Sequence, residues 1–215
     1  MRFDDARARW NTRYRGDPLI FGSEPNDALA AQAARFRPGD QVLCVADGEG
    51  RNATWLAGLG CVVTAFDLSD VGVAKARALA ARRGVSVAFH EASIEDWQWA
   101  PAPGHPGYDA VVAVFVQFAD PPRRALMFEG FAEALRPGGL LLLVGYGPLQ
   151  MGYRTGGPGI LEHLYTEALL RESFAGWRIE RLVREQRVLH EGSGHDGMSD
   201  VIELLAIRPP TPEPA

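Results

Sequence analysis

The chain has 215 residues, 47% of them hydrophobic and 23% charged, with a net charge of −5. That is enough for one domain with a substantial core, and the acidic balance argues against electrostatic binding to nucleic acid or to an anionic membrane. No apolar run approaches the roughly 18 residues of a membrane span, and Met1-Arg2-Phe3-Asp4-Asp5 has no signal-peptide core.

The first predicted element is a short helix over residues 3–15. It carries Phe3, Ala6, Trp10 and Tyr14 and is stopped by Gly16-Asp17-Pro18. A loop with Phe21-Gly22-Ser23-Glu24-Pro25 leads to a second helix at about 26–36, ended by Pro38-Gly39. Strands are then expected at about 41–46, 61–66, 85–90, 109–115 and 139–145. Helices fall between them at 51–59, 69–83 and 121–135, with Ser69 and Asp120 as N-caps and Pro121 at the first helical position. The stretch 91–107 reads as loop with one turn, and 146–164 as an irregular Gly-rich loop. A helix at 166–175 precedes two β-like runs, 177–189 and 199–207, joined by Glu191 to Gly197. The proline-rich tail 209–215 is expected to be disordered. Cys44 and Cys61 fall in predicted core strands, which suits small buried thiols in a reducing cytoplasm.

Alternating strands and helices imply a parallel sheet covered on both faces, here finished by an antiparallel hairpin. The apolar run Val42 to Ala46 ends in Asp47-Gly48-Glu49-Gly50 and opens into a helix at Asn52. A second apolar run, Cys61 to Phe66, stops at Asp67. Strand, glycine turn, helix, strand and terminal acid describe a nucleotide- or nucleoside-binding half-fold. Gly48-Glu49-Gly50-Arg51-Asn52-Ala53 fits the dinucleotide pattern, so an NAD(P)-dependent oxidoreductase is one reading. Asp47 and Glu49 oppose it, because each like-charge contact with a pyrophosphate at about 4 Å costs on the order of 4 kcal/mol at an effective dielectric near 20. S-adenosylmethionine (SAM) carries a sulfonium and an ammonium and no phosphate.

The stretch Val42 to Asn52 resembles motif I of the class I SAM-dependent methyltransferases, and most closely that of the small bacterial tellurite-resistance-type enzymes. Trp10-Asn11-Thr12-Arg13-Tyr14 with Phe21-Gly22-Ser23-Glu24-Pro25-Asn26 resembles that group's N-terminal signature. Arg136-Pro137-Gly138-Gly139 resembles the turn before its fifth strand. The resemblance implies an α/β, Rossmann-like, seven-stranded, mostly parallel sheet with an antiparallel C-terminal hairpin. It implies one domain over 1–208, with a helical lid at 1–38. It assigns Ala46, Asp47, Gly48 and Gly50 to the methionine moiety of SAM and Asp67 to the ribose hydroxyls. Leu68, Ser93 and Ile94 would flank the adenine, and Val114 and Phe115 would floor the site near the sulfonium. Trp10, Tyr14 and Phe21 would close over it. Three positions depart from the family pattern: Ala46 replaces a glycine, Cys44 an acid and Ser93 an Asp. Asp47 is the acid available to compensate for Cys44.

Methyl transfer from a sulfonium chiefly requires positioning, with a base only for a protonated acceptor. His163 and His195, both in predicted loops near the C-terminal end of the sheet, and Tyr153 in the 146–164 loop are the candidates. His90 and His105 read as bland, and no His/Cys cluster has metal-ligand spacing. Asp120-Pro121-Pro122-Arg123 has the outline of an amino-methylating nucleic-acid motif, but it falls several residues late and lacks the aromatic. The basic run Lys75 to Arg83 reads as the solvated face of a helix. The expected function is methyl transfer from SAM to a small acceptor such as a thiol, a chalcogen oxyanion or a small metabolite. A non-catalytic SAM-binding protein and an oxidoreductase remain alternatives. No nucleic-acid or membrane partner is expected, and the chain would be a monomer or homodimer.

Overall fold

The computed structural model describes residues 3–16 and 19–210, so Asp17-Pro18 and residues 211–215 of the tail expected to be disordered over 209–215 lie outside the described residues. In chain order the elements are α1 (Phe3–Tyr14), α2 (Asp27–Ala30), β1 (Gln41–Val45), α3 (Arg51–Gly58), β2 (Val62–Asp67), α4 (Asp70–Arg83), β3 (Ala88–Glu91), β4 (Tyr108–Val114), α5 (Pro121–Ala134), β5 (Leu135–Tyr146), α6 (Glu167–Ser173), β6 (Arg178–Glu191) and β7 (His195–Ile207). The seven strands form one sheet in the order β3-β2-β1-β4-β5-β7-β6. β1, β2 and β3 pair in parallel, as do β4 and β5, while β7 runs antiparallel to β5. The expected fold class is the observed one.

The chain groups into two compact units, Met1–Trp97 with Val188–Gly197, and Gln98–Arg187 with Met198–Ala215. In the first, β1 is apolar on both faces, and Val42, Leu43, Cys44 and Val45 are buried. Ser69 caps α4 as expected, its Oγ accepting from Gly72 N at 3.0 Å. In the second unit, Leu141 to Val144 form an equally continuous buried run. There Phe128 packs against Phe174, Phe131 and Tyr165 with ring centroids 5.0, 5.7 and 5.9 Å apart. Asp120 caps α5 by accepting from Arg123 N at 3.1 Å, with prolines opening the helix, so Asp-Pro-Pro is a helix start here. The two tryptophans of the 91–107 stretch are divided between the units. Trp97 stacks on Phe66 at 4.5 Å in the first. Trp99 lies over Gly130 and meets Phe131 at 5.7 Å in the second.

Two expectations are corrected. The helix at 26–36 is a four-residue α2 followed by a 3-10 turn at Ala33–Arg35. Only Ala28 and Leu29 of that helix are buried, and so short an apolar face cannot offset the cost of nucleating a longer helix. The hairpin strands are longer than their apolar runs, leaving only Gly192-Ser193-Gly194 between them. His195 therefore sits at the start of β7 rather than in a loop.

Candidate functional site

The turn after β1 carries backbone strain. Ala46 has φ 47° and is followed by Gly48 at 61° and Gly50 at 86°. Among the described residues the non-glycine positions with positive φ are Ala46 and Phe115, both named from sequence as site residues. Each costs on the order of 1–3 kcal/mol, and strain of this kind persists where surrounding structure enforces it, commonly at ligand sites.

Asp67 organises the turn from the end of β2. Its Oδ2 accepts from Gly48 N at 2.9 Å and its Oδ1 from Ser69 N at 2.8 Å. An ionised carboxylate has about four acceptor positions, so each oxygen keeps a lone pair for another donor. Burial pushes the Asp67 carboxyl up to about 6, against the two backbone donors that favour its charge; nearby Glu49 adds to the rise. Asp47, half-buried, is pushed up to about 7, again chiefly by desolvation. Its Oδ2 accepts from Ala53 N at 3.3 Å in the first turn of α3. Asp47 thus occupies a helix N-terminal donor that a phosphate would otherwise use.

Glu49 does not face the ligand side of the turn in the way its sequence position suggested. It is buried, with Oε1 2.7 Å from Lys75 Nζ and Oε2 accepting from Ile20 N at 2.7 Å. The charge argument against pyrophosphate therefore rests on Asp47. The basic face of α4 is likewise committed to contacts. Lys75 also donates to Gly16 O, Arg77 to Phe89 O and Arg83 to Ser23 O and Thr54 Oγ1.

The N-terminal aromatics gather on this turn. Tyr14 is 3% exposed and lies between Gly48 and Gly72. A Cβ at Gly48 would come 2.7 Å from its Oη, and one at Gly72 3.1 Å from its ring. Desolvation, then Asp67 and Glu49, raise the Tyr14 phenol well above its ordinary range, so it stays protonated. Trp10 stacks on Tyr14 at 5.4 Å, and Phe21 meets Tyr14 edge-on at 6.3 Å. α1 is fixed to the start of α4 by Asn11, which accepts from Ser69 Oγ and donates to Asp70 Oδ1, both at 2.5 Å.

Leu68 is half-buried, and Ser93 and Ile94 are buried after β3. Ser93 Oγ donates to Asp96 Oδ2 at 2.8 Å and accepts from Asp96 N at 3.0 Å. Asp96 was not singled out from sequence, although Ser93-x-x-Asp96 has helix-cap spacing. Cys44 and Cys61 are buried and unbridged, and burial raises the Cys44 thiol well above its usual range.

His195 is brought to the first unit, its ring 4.4 Å from Phe21 and its Nδ1 3.7 Å from Glu191 Oε2. Desolvation lowers its pKa against the pull of Glu191. Glu191 is held at about 2: burial works to raise it, and His195 and Arg51 together outweigh that.

In the second unit, Val114 closes β4 and Phe115 stacks on Tyr146 at 4.5 Å. Gln117, buried, takes a hydrogen bond from Tyr146 N and donates to Tyr146 O at 2.8 Å and to His163 O at 3.3 Å. His163 is buried, with no hydrogen-bond partner for Nδ1 among the described residues; Tyr165 Oη is in the same condition. Tyr153 donates to Gln186 Oε1 at 2.5 Å. Sequence reasoning missed Gln117, whose role lies in bonds to backbone far along the chain.

The raised carboxyls predict a pH effect of definite sign. Between the ordinary carboxyl range and about 6, folded Asp67 holds a proton that the unfolded chain has released. Its contribution to stability is therefore lost as pH rises through that window. The lowered His195 acts oppositely over part of the same range, so the readout is differential. Thermal melts of ligand-free wild type and Asp67→Asn are expected to show wild type gaining relative to the variant as pH falls through about 6. A pH-independent difference would contradict the burial of this charge.

Residues 42–139 match the family profile described as a methyltransferase domain. That match spans 98 of the chain's 215 residues, and the sheet order is that of an α/β methyltransferase fold. Over 119 residues the chain is 35% identical to ribosomal protein L11 methyltransferase from Thermus thermophilus, spanning 55% of this chain and 43% of that protein's length. The crystal structure of TehB from Haemophilus influenzae superposes with a TM-score of 0.67 at 18% identity, covering 94% of this chain and 66% of that one. Magnesium protoporphyrin IX methyltransferase from Synechocystis PCC 6803, solved with bound S-adenosylhomocysteine (SAH), also gives 0.67 at 18% identity, covering 96% and 99%. These structural likenesses are of fold. Among the described residues no helix is long and apolar enough to cross a membrane.

Proposed function

We propose that the protein transfers a methyl group from SAM to a small-molecule acceptor. The observation that carries the reading is Asp67: a buried strand-end carboxylate with both oxygens on backbone donors and lone pairs to spare, beside the strained turn at Ala46. That donor set suits a ribose diol. Asp47 suits a cationic amine and disfavours a phosphate. The residues therefore fit SAM better than a dinucleotide. When bound, SAM supplies a methyl group already activated on a sulfonium.

In this reading Asp67 accepts from the ribose hydroxyls, and Ala46, Asp47, Gly48 and Gly50 take the methionine end. Leu68, Ser93 and Ile94 border the adenine, where Ser93 Oγ has one lone pair left for its amino group. Tyr14, with Trp10 and Phe21, covers the turn and excludes water. The resemblance of Trp10 to Tyr14 and Phe21 to Asn26 to the N-terminal signature of the tellurite-resistance-type enzymes supports a chalcogen or thiol acceptor, and the two buried, unbridged cysteines suit a reducing compartment.

Calorimetry against SAH and reduced nicotinamide dinucleotides, followed by an acceptor screen with labelled SAM, tests the proposal. Micromolar SAH binding with transfer to a thiol, a chalcogen oxyanion or another small metabolite is expected. Binding of the nicotinamide cofactor alone would replace the reading with the oxidoreductase. SAH binding without turnover of any acceptor would favour a non-catalytic SAM-binding protein.

A further inference from the structure

We propose that Glu191, at the tip of the β6–β7 hairpin, is a positioning residue for the cofactor turn: it locks the Ile20–Asn26 strap to the start of α3. The proposal rests on the reading that this turn holds SAM. It goes beyond that reading by giving a role to a residue 140 positions from Arg51.

The contacts converge from three segments of the first unit. Glu191 Oε1 accepts from Asn26 Nδ2 at 2.7 Å, and Oε2 accepts from Arg51 Nη2 at 2.5 Å. Arg51 is the first residue of α3, directly after Gly50, and its Nη1 donates to Phe21 O at 3.0 Å. Asn26 caps α2 with its side chain while its backbone N donates to Asn52 Oδ1 at 3.0 Å. The hairpin tip then clasps the strap directly, Gly194 N donating to Ile20 O at 2.9 Å. Side chains at Gly192 or Gly194 would collide with Ile20 and Phe21, so only glycine lets the tip approach this closely. Ile20 N in turn donates to Glu49 within the turn.

The side chains of Arg51 and Glu191 are 7% and 5% exposed. A charge buried this deeply requires its partner, so the ion pair fixes one arrangement of strap and turn. With Glu191 neutral, Arg51 loses its counter-charge while the strap bearing Phe21 loses its anchor to α3. The strap then opens from the turn more often, and the cofactor meets a less organised site. A cluster serving stability alone would lower the melting point and leave cofactor affinity in the folded protein unchanged.

The test is Glu191→Gln, which keeps the size but removes the charge and replaces one of the two accepting oxygens with a donor facing Asn26 or Arg51. Calorimetry with SAH is run well below the melting points of both proteins, beside native-state hydrogen exchange of the Ile20 and Gly194 amides. The variant is expected to bind SAH about tenfold or more weakly, the size of losing one charged hydrogen bond. Both amides should exchange faster by a similar factor, as one opening event. A folded Glu191→Gln protein that binds SAH as wild type does would overturn the proposal alone. Wild type that binds no SAH would overturn the cofactor reading and this proposal with it. If the variant does not fold, wild-type exchange decides: slowing of Ile20 and Gly194 together on SAH addition supports the lock, and a Gly194 amide indifferent to SAH overturns it.

Discussion

Asp67→Ala is expected to weaken SAH binding by about 10- to 150-fold, corresponding to roughly 1.5–3 kcal/mol for charged hydrogen bonds lost. Two effects combine. The ribose hydroxyls lose their acceptor, and Gly48 N–H and Ser69 N–H lose the carboxylate that positions them at 2.9 and 2.8 Å. The same group gives the wild-type protein a pH signature. Protonation below about 6 removes the charge that the diol would engage, so SAH affinity should fall as pH drops through that value. Calorimetry of both proteins from neutral to mildly acidic pH measures both effects. An affinity within about threefold of wild type, under ~1 kcal/mol, would sink the ribose assignment.

Gly50→Ala should produce the largest loss of stability. Gly50 has φ 86°, and a Cβ there would lie 2.6 Å from Ala76 Cβ and 2.8 Å from Ala76 Cα on α4. Left-handed backbone costs a non-glycine residue about 1–2 kcal/mol, and overpacking adds about 1–3. In a chain of this size each kcal/mol shifts the melting midpoint by roughly 2–4 °C, so a fall on the order of 5–15 °C is expected. Gly58→Ala is the matched control. That position is helical, with nothing within 4 Å of an added Cβ, and alanine there should be neutral or stabilising by up to about 1 kcal/mol. A midpoint for Gly50→Ala within a degree or so of wild type would mean that α3 and α4 separate easily, and that the turn is not rigid.

What could be read in advance followed from local chemistry. The strand-turn-helix at Val42 to Asn52 is legible because its apolar run, its glycines and its helix start are contiguous. Ser69 and Asp120 are legible as caps because a cap acts within three residues. The full length of the hairpin was not legible. Glu191 and His195 interrupt the apolar pattern, and they are buried only because Arg51, Asn26 and Phe21 meet them from far along the chain. Glu49 misled for the same reason: its partners Lys75 and Ile20 are 26 and 29 positions away. The helix expected at 26–36 failed on a different count. Its alanines favour helix, but Gln32 to Arg35 have no apolar surface to cover, and Arg35 instead donates to Gln32 at 3.0 Å.

The hairpin tip also sets an order of events during synthesis. Residues 3–97 hold the whole of β1, the turn and Asp67, but Arg51 lacks the counter-charge of Glu191, and the Asn26 amide its acceptor, until residue 191 has emerged. At ~5–20 residues per second that interval lasts on the order of ten seconds. The nascent N-terminal segment passes it with an unneutralised guanidinium at the head of α3, a state that hydrates readily and resists early closure. Maturation of the turn is thereby deferred to the last part of translation, when the strands that precede the hairpin are already available to pair.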